Sequence, residues 1–229
     1  MQELFDRIQQ IPFPTNQYFQ TVYAKTQVFL HHTVSGAKAI DVFNYWASNK
    51  EEVATCCVVD RSGTICQGFS SKYWAYHLGV RNEDLIAAKV KTYKRLDFTS
   101  IGIEIDSWGG LVKHTDKKWY PCYWDKTKRK LMPYVAAGPV ANVIEYKNGY
   151  RGFYAFEKYT DEQIKSVKLL LQYWNQVYNI PLTYNPTMFD ISSDAIQGKP
   201  GIWSHTSVRT DKSDIHPQPE MIEMLKSLV

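Results

Sequence analysis

Six histidines are spread along the 229 residues, at positions 31, 32, 77, 114, 205 and 216. His31 and His205 stand at the ends of apolar, strand-like runs, VFLHHT and IWSHT, where a side chain reaches the rim of a sheet. Asp214 follows His205 by nine positions of polar chain, enough to curl so that imidazole and carboxylate converge on one ion. Nitrogen and oxygen donors of this kind suit zinc, and three protein ligands with one open position form the catalytic rather than the structural arrangement. By itself, a His followed by such an Asp arises by chance in many chains. SIGIEID over 100–106 adds a carboxylate: Ile101, Ile103 and Ile105 point one way along a strand, and Gly102, Glu104 and Asp106 the other.

VFLHHT, SIGIE and H-x6-K-x-D occur in this order. Together they resemble the zinc-dependent N-acetylmuramoyl-L-alanine amidases, the superfamily that includes phage amidase lysozymes, bacterial anhydromuropeptide amidases and animal peptidoglycan recognition proteins. The resemblance runs from about Gln27 to Asp214, with a gap over the segment 107–159. It implies an α/β fold with a central mixed sheet flanked by helices, and zinc held by His31, His205 and Asp214. Lys212, two residues before the last ligand, and Glu104, after S-I-G-I, are implied as the catalytic pair. Some relatives place a catalytic Tyr where this chain has Thr55, which leaves that work to Glu104. WAYHLG resembles the family stretch A-W-H-A-G that lines the groove and nominates His77 as a substrate contact, and RSG at 61–63 stands where the family has R-D-G.

The implied reaction is hydrolysis of the amide joining the lactyl group of N-acetylmuramic acid to L-alanine in peptidoglycan. Zinc would activate water, Glu104 would take its proton and return it to the leaving amine, and Lys212 would hydrogen-bond the carbonyl oxygen as charge develops. His32, His114 and His216 are assigned structural or surface roles. His216 and Asp211 lie near enough to Asp214 in the chain to compete as ligands.

The elements that must position these groups are partly legible. QVFLHHT begins as a central strand, and AKAIDVFNYWASNK reads as a helix with Ile40, Phe43 and Ala47 on one face. ATCCVVD and ICQGF around RSGT give a hairpin signal, and a short helix is expected somewhere between Asn82 and Leu96. Thr160 and Gln163 have capping-box spacing ahead of a stripe of Ile164, Val167, Leu171, Trp174 and Tyr178, and Pro219 opens a terminal helix. The segment 107–159, rich in Trp and Tyr, reads as a loop-and-hairpin insertion whose rings either wall a groove or form a mini-core of their own. The chain thus divides into an N-terminal extension, 1–26, and a catalytic domain, 27–229.

Composition is that of a soluble domain, with 44% hydrophobic and 22% charged residues, which excludes collagen, disorder and coiled coil. The net charge of +4 is too small to indicate nucleic-acid binding, and the run KTKRK at 126–130 reads as a solvated basic face that could also attract an anionic wall or envelope. The four cysteines are expected to be mostly buried free thiols. No apolar window is long enough to span a membrane, and the first residues lack the pattern of a secretory signal, so synthesis in the cytoplasm and action on the cell wall are expected. Peptidoglycan is the expected partner of a monomer, with no nucleic acid and no stable membrane insertion. The leading reading is a wall-lysing phage endolysin. A cytoplasmic muropeptide-recycling amidase and a non-catalytic peptidoglycan-binding module remain open beside it.

Overall fold

The runs QVFLHH and SIGIEI form adjacent parallel strands with nearly every residue buried, as expected of strands covered on both faces. The computed structural model of the protein describes residues 2–92 and 95–228. In chain order its elements are α1 (Gln2–Asp6), β1 (Ile8–Gln10), β2 (Gln27–His32), α2 (Ala39–Ser48), the hairpin β3 (Cys57–Val59) and β4 (Ile65–Gln67), α3 (Asn82–Ala87), α4 (Leu96–Thr99) and β5 (Ser100–Ile105). Then follow β6 (Gly110–Lys113), β7 (Trp119–Tyr120), β8 (Cys122–Asp125), β9 (Lys130–Pro133), β10 (Val143–Tyr150), β11 (Phe153–Glu157), α5 (Asp161–Tyr178), α6 (Ser193–Ile196), β12 (Gly201–Ser204) and α7 (Pro219–Lys226).

The central sheet has the order β1-β4-β3-β5-β2-β12. Only the β3–β4 hairpin is antiparallel; the other neighbours run parallel, so the sheet is mixed and helices flank it. The N-terminal residues read as an extension belong to this sheet, because β1 pairs with the outer edge of β4 and covers backbone groups that would otherwise be unpaired. Lys25, near the end of that segment, is buried and donates to the carbonyls of Phe98 and Ser100.

Helix α5 begins where its capping box places it: Thr160 Oγ1 accepts the Gln163 N–H at 3.1 Å, and Gln163 Oε1 accepts the Thr160 N–H at 3.0 Å. Ile164, Val167, Leu170, Leu171 and Trp174 are buried along it, and it ends at Asn179 in the left-handed conformation. In α2 the buried face is Ala39, Phe43 and Trp46, while Ile40 is exposed. The expected face through Ile40 and Ala47 is therefore rotated by about one residue, which turns the large Trp46 ring inward.

The insertion consists of three antiparallel hairpins, β6–β7, β8–β9 and β10–β11, and β11 also pairs with β6. It forms a second sheet, β10-β11-β6-β7, and the separate pair β8–β9. Tyr146, Tyr150, Phe153 and Phe156 pack edge-on and tilted against one another as a mini-core. Arg61 ties the insertion to the β3–β4 turn, with Nε and Nη2 on the Glu157 carboxylate and Nη1 2.6 Å from Asp106 Oδ2. All four cysteines are free. Among the described residues no helix is long and apolar enough to cross a membrane.

Candidate metal centre

The carboxyl ends of three parallel strands, β12, β2 and β5, meet at one rim of the sheet. Register sets what they present there: His31 lies opposite Glu104, and Leu30 lies opposite Ser204, so His205 follows one step beyond β12. This is where open α/β sheets place ligands. His31 Nδ1 and His205 Nδ1 are 3.0 Å apart, and Asp214 Oδ2 lies 2.9 Å from the second and 3.3 Å from the first. All three residues are buried.

Hydrogen bonding on the far sides of the rings bears on what this triad can hold. His205 Nε2 donates to the Leu78 carbonyl at 3.0 Å, which in a neutral imidazole leaves Nδ1 as an acceptor. Burial pushes the His31 imidazolium down to a pKa of about 4, with His205 adding to the effect, so the His31 ring is neutral at pH 7. Burial works against ionisation of Asp214, yet the His205 charge and the hydrogen bonds from His205 and His31 hold its carboxyl well below the usual range. Two ring lone pairs and a carboxylate oxygen facing one another repel unless a cation lies between them. The donor set and its convergence thus fit a metal ion.

His77 does not face a substrate with free ring nitrogens. Its Nδ1 is 3.0 Å from His31 Nε2, and its Nε2 is 2.9 Å from Ser100 Oγ. It therefore backs His31, although its ring also forms part of the cleft wall. The loop that carries it is held by Asp97, whose Oδ1 accepts the backbone N–H of His77 and of Leu78. Gly102 makes the space, since a Cβ there would stand 2.6 Å from Thr55 Cγ2 and 3.0 Å from His77 Nδ1. No sequence motif pointed to Asp97 or Ser100 in these roles.

Glu104 reaches the same cleft, with Oε2 buried and without a hydrogen-bond partner. Burial raises its pKa well above the ordinary value, the Asp214 charge raises it further, and the Lys212 ammonium opposes both. Lys212 and Thr55 also line the cleft, together with Thr33, Trp46 and Phe153, in a volume of about 520 Å³. Thr55 Oγ1 is engaged with the Cys57 carbonyl. A second cavity of about 400 Å³, between Ser35, Ala37, Asp41 and Tyr45, shares Thr33, Trp46 and Glu104 with the first.

The loop 205–216 is clamped from the insertion. Tyr150 Oη donates toward the carbonyls of Phe189 and Ile215. Arg151 reaches the carbonyls of Thr206 and Thr210 and pairs with Asp190 at 2.7 Å. The two competitors for ligand positions are engaged elsewhere. His216 is stacked between Phe156 and Tyr159 and bonded to Tyr146 Oη and the Glu157 carbonyl, and Asp211 pairs with Arg209 and Arg81. His32, on the opposite face of β2, bonds Tyr159 Oη, and His114 lies 3.5 Å from Asp116.

The chain is similar in fold to PlyL (15% identity, TM-score 0.52, covering 97% of this chain and 98% of that one). It is likewise similar to a mutant endolysin from Bacillus subtilis (14%, TM-score 0.51, 96% of each chain) and to the catalytic domain of XlyA (14%, TM-score 0.51, 96% and 97%). No curated protein matches it by sequence. The family model described as N-acetylmuramoyl-L-alanine amidase matches residues 22–219, a span that takes in β2, β5, β12 and the whole triad. With that match over most of its length, the chain belongs to the N-acetylmuramoyl-L-alanine amidase family.

Proposed function

We propose that the protein is a zinc-dependent endolysin that cuts the amide between N-acetylmuramic acid and L-alanine in intact peptidoglycan. The observation that carries the reading is the convergence of His31, His205 and Asp214 at the floor of an open cleft that also holds Glu104 and Lys212. The fold likeness to an endolysin supports the wall-lysing role.

His31 Nδ1, His205 Nδ1 and Asp214 Oδ2 would hold the ion. When bound, zinc supplies Lewis acidity for the scissile carbonyl and makes water easier to deprotonate near neutral pH. Glu104, whose raised pKa suits a proton carrier, takes the proton of the attacking water and returns it to the nitrogen of the departing alanine. Lys212 donates to the carbonyl oxygen while it gains negative charge. His77 and the Leu78 carbonyl hold the two imidazoles in the ligand tautomer. Trp46 and Phe153 add apolar wall to the cleft that holds these polar groups.

Zinc stoichiometry of the purified protein, combined with mass spectrometry of fragments released from purified wall, tests this directly. The expected result is one zinc per chain and free stem peptides beginning with L-alanine. Turnover of soluble muropeptides with no attack on intact sacculi would instead favour a recycling amidase, and binding without any product would favour a non-catalytic module.

A further inference from the structure

The β8–β9 hairpin takes no part in the site. Its strands pair only with each other, and its turn carries Lys126, Lys128 and Arg129, followed by Lys130 at the start of β9. Asp125 is the one acid among them, and its Oδ1 is occupied by the backbone N–H groups of Thr127 and Lys128. Four cations against one carboxylate is a large concentration on a chain whose whole net charge is +4. Among the described residues Lys126, Arg129 and Lys130 have no ion-pair partner, and only Lys128 approaches Asp125, at 3.9 Å. Beside these charges Trp124 is 58% exposed and Tyr123 49% exposed, and neither ring packs on another aromatic ring of the described residues. Free guanidinium and ammonium groups next to free aromatic faces match a ligand that alternates phosphate with sugar or polyol.

The foot of the hairpin joins it to the body of the domain near the second cavity. The Tyr134 N–H donates to the Pro121 carbonyl at 2.7 Å, which closes the hairpin, and the Tyr134 ring lies 6.5 Å from Trp108. Trp108 in turn lies so close to Gly36 that a Cβ there would clash, and Ser35 and Ala37 on either side of Gly36 line the cavity that shares Glu104. The foot of the hairpin is thus joined through Trp108 to the loop beside the second cavity. On the wall-amidase reading, a polymer carried by the wall is the polyanion that comes to this hairpin when the cleft takes its substrate.

We infer that the β8–β9 hairpin is a docking surface for a polyanionic phosphodiester glycopolymer carried by the cell wall. The inference rests on the wall-amidase reading given above. Its charge would concentrate the enzyme on phosphate-bearing wall and leave the chemistry untouched.

The test uses the full chain and two variants, K126S/K128S/R129S/K130S and W124A. Binding is measured by co-sedimentation with purified wall, before and after its phosphodiester polymer is removed with acid, and by titration with poly(glycerol phosphate). Turnover of a soluble muropeptide is followed in parallel. The expected result is a loss of about fivefold or more in binding of both variants to untreated wall and to poly(glycerol phosphate), steeper at low salt for the serine variant alone, and no loss on stripped wall or on the muropeptide. Equal wild-type binding to untreated and stripped wall would overturn the inference. So would tighter binding of the wild type to anionic phospholipid vesicles or to single-stranded DNA than to poly(glycerol phosphate), or a wild-type dimer that the W124A change dissolves. Failure of muropeptide turnover in the wild type would instead count against the amidase reading, because the polymer titration does not depend on catalysis. Unchanged melting temperatures would show that the serine variant is folded.

Discussion

The ring nitrogen of His31 that points away from the ligand triad, Nε2, lies 3.0 Å from Nδ1 of His77. If His31 offers its Nδ1 lone pair to a metal, its Nε2–H donates to His77, and the His77 Nε2–H donates onward to Ser100 Oγ. The chain of bonds thus selects the ligand form of His31. His77→Ala should weaken zinc affinity by about 10- to 100-fold, the usual effect of removing such a backing group. Competition with a chromophoric chelator measures it. His77→Gln, whose amide can accept the same bond, should recover part of the loss. Unchanged affinity in the Ala variant would remove His77 from this role.

Glu104 should be needed for turnover and dispensable for metal. Glu104→Gln is expected to keep full zinc content while losing about 10²- to 10⁴-fold in rate. As a base it works only when ionised, and its pKa lies well above the ordinary carboxylate value. The acid limb of kcat/KM should therefore fall at a higher pH than a free glutamate would set. A limb at the ordinary value near 4.3 would contradict the assignment.

Arg151 holds the loop that carries two of the three candidate ligands, through the carbonyls of Thr206 and Thr210. Arg151→Ala should let this loop move. The expected outcome is faster zinc release, read by stopped-flow chelation, with a small change in melting temperature. Arg151→Lys, which keeps the charge and loses the two-carbonyl reach, should fall between wild type and Ala.

Lys25 provides a pH signature of stability away from the site. Burial lowers its pKa from 10.5 to about 8. Between those values the unfolded chain binds a proton that the folded chain does not, so this group makes stability rise with pH across the window. Denaturant titrations at pH 8 and pH 10 should show this increment in the wild type and its absence in Lys25→Met. An identical pH dependence in the two proteins would refute it.

Much of the fold was legible because it follows from local periodicity. The alternation of SIGIEI, the capping box at Thr160 and the apolar stripe after it each specify an element without reference to the rest of the chain. The face of α2 was not so legible: both Ile40 and Trp46 are large and apolar, and only the cleft against which the helix packs selects Trp46. The hairpins of the insertion were legible as such, but its individual strands were not, since strands as short as Trp119–Tyr120 exist only through their pairing partners.

For the site, the sequence by itself determined which groups are present and at which strand ends they stand: His31 and Glu104 near the ends of β2 and β5, and His205 just past β12. Motif order suggested that they act together, but no spacing brings position 31 to within 3.0 Å of position 205. Strand order and register do that. Only the tertiary structure decided that His77 stands behind His31, that His216 and Asp211 are turned to other partners, and that the insertion grips the loop carrying His205 and Asp214. These are contacts between segments far apart in the chain, and their geometry is set by how the sheets and loops close on one another.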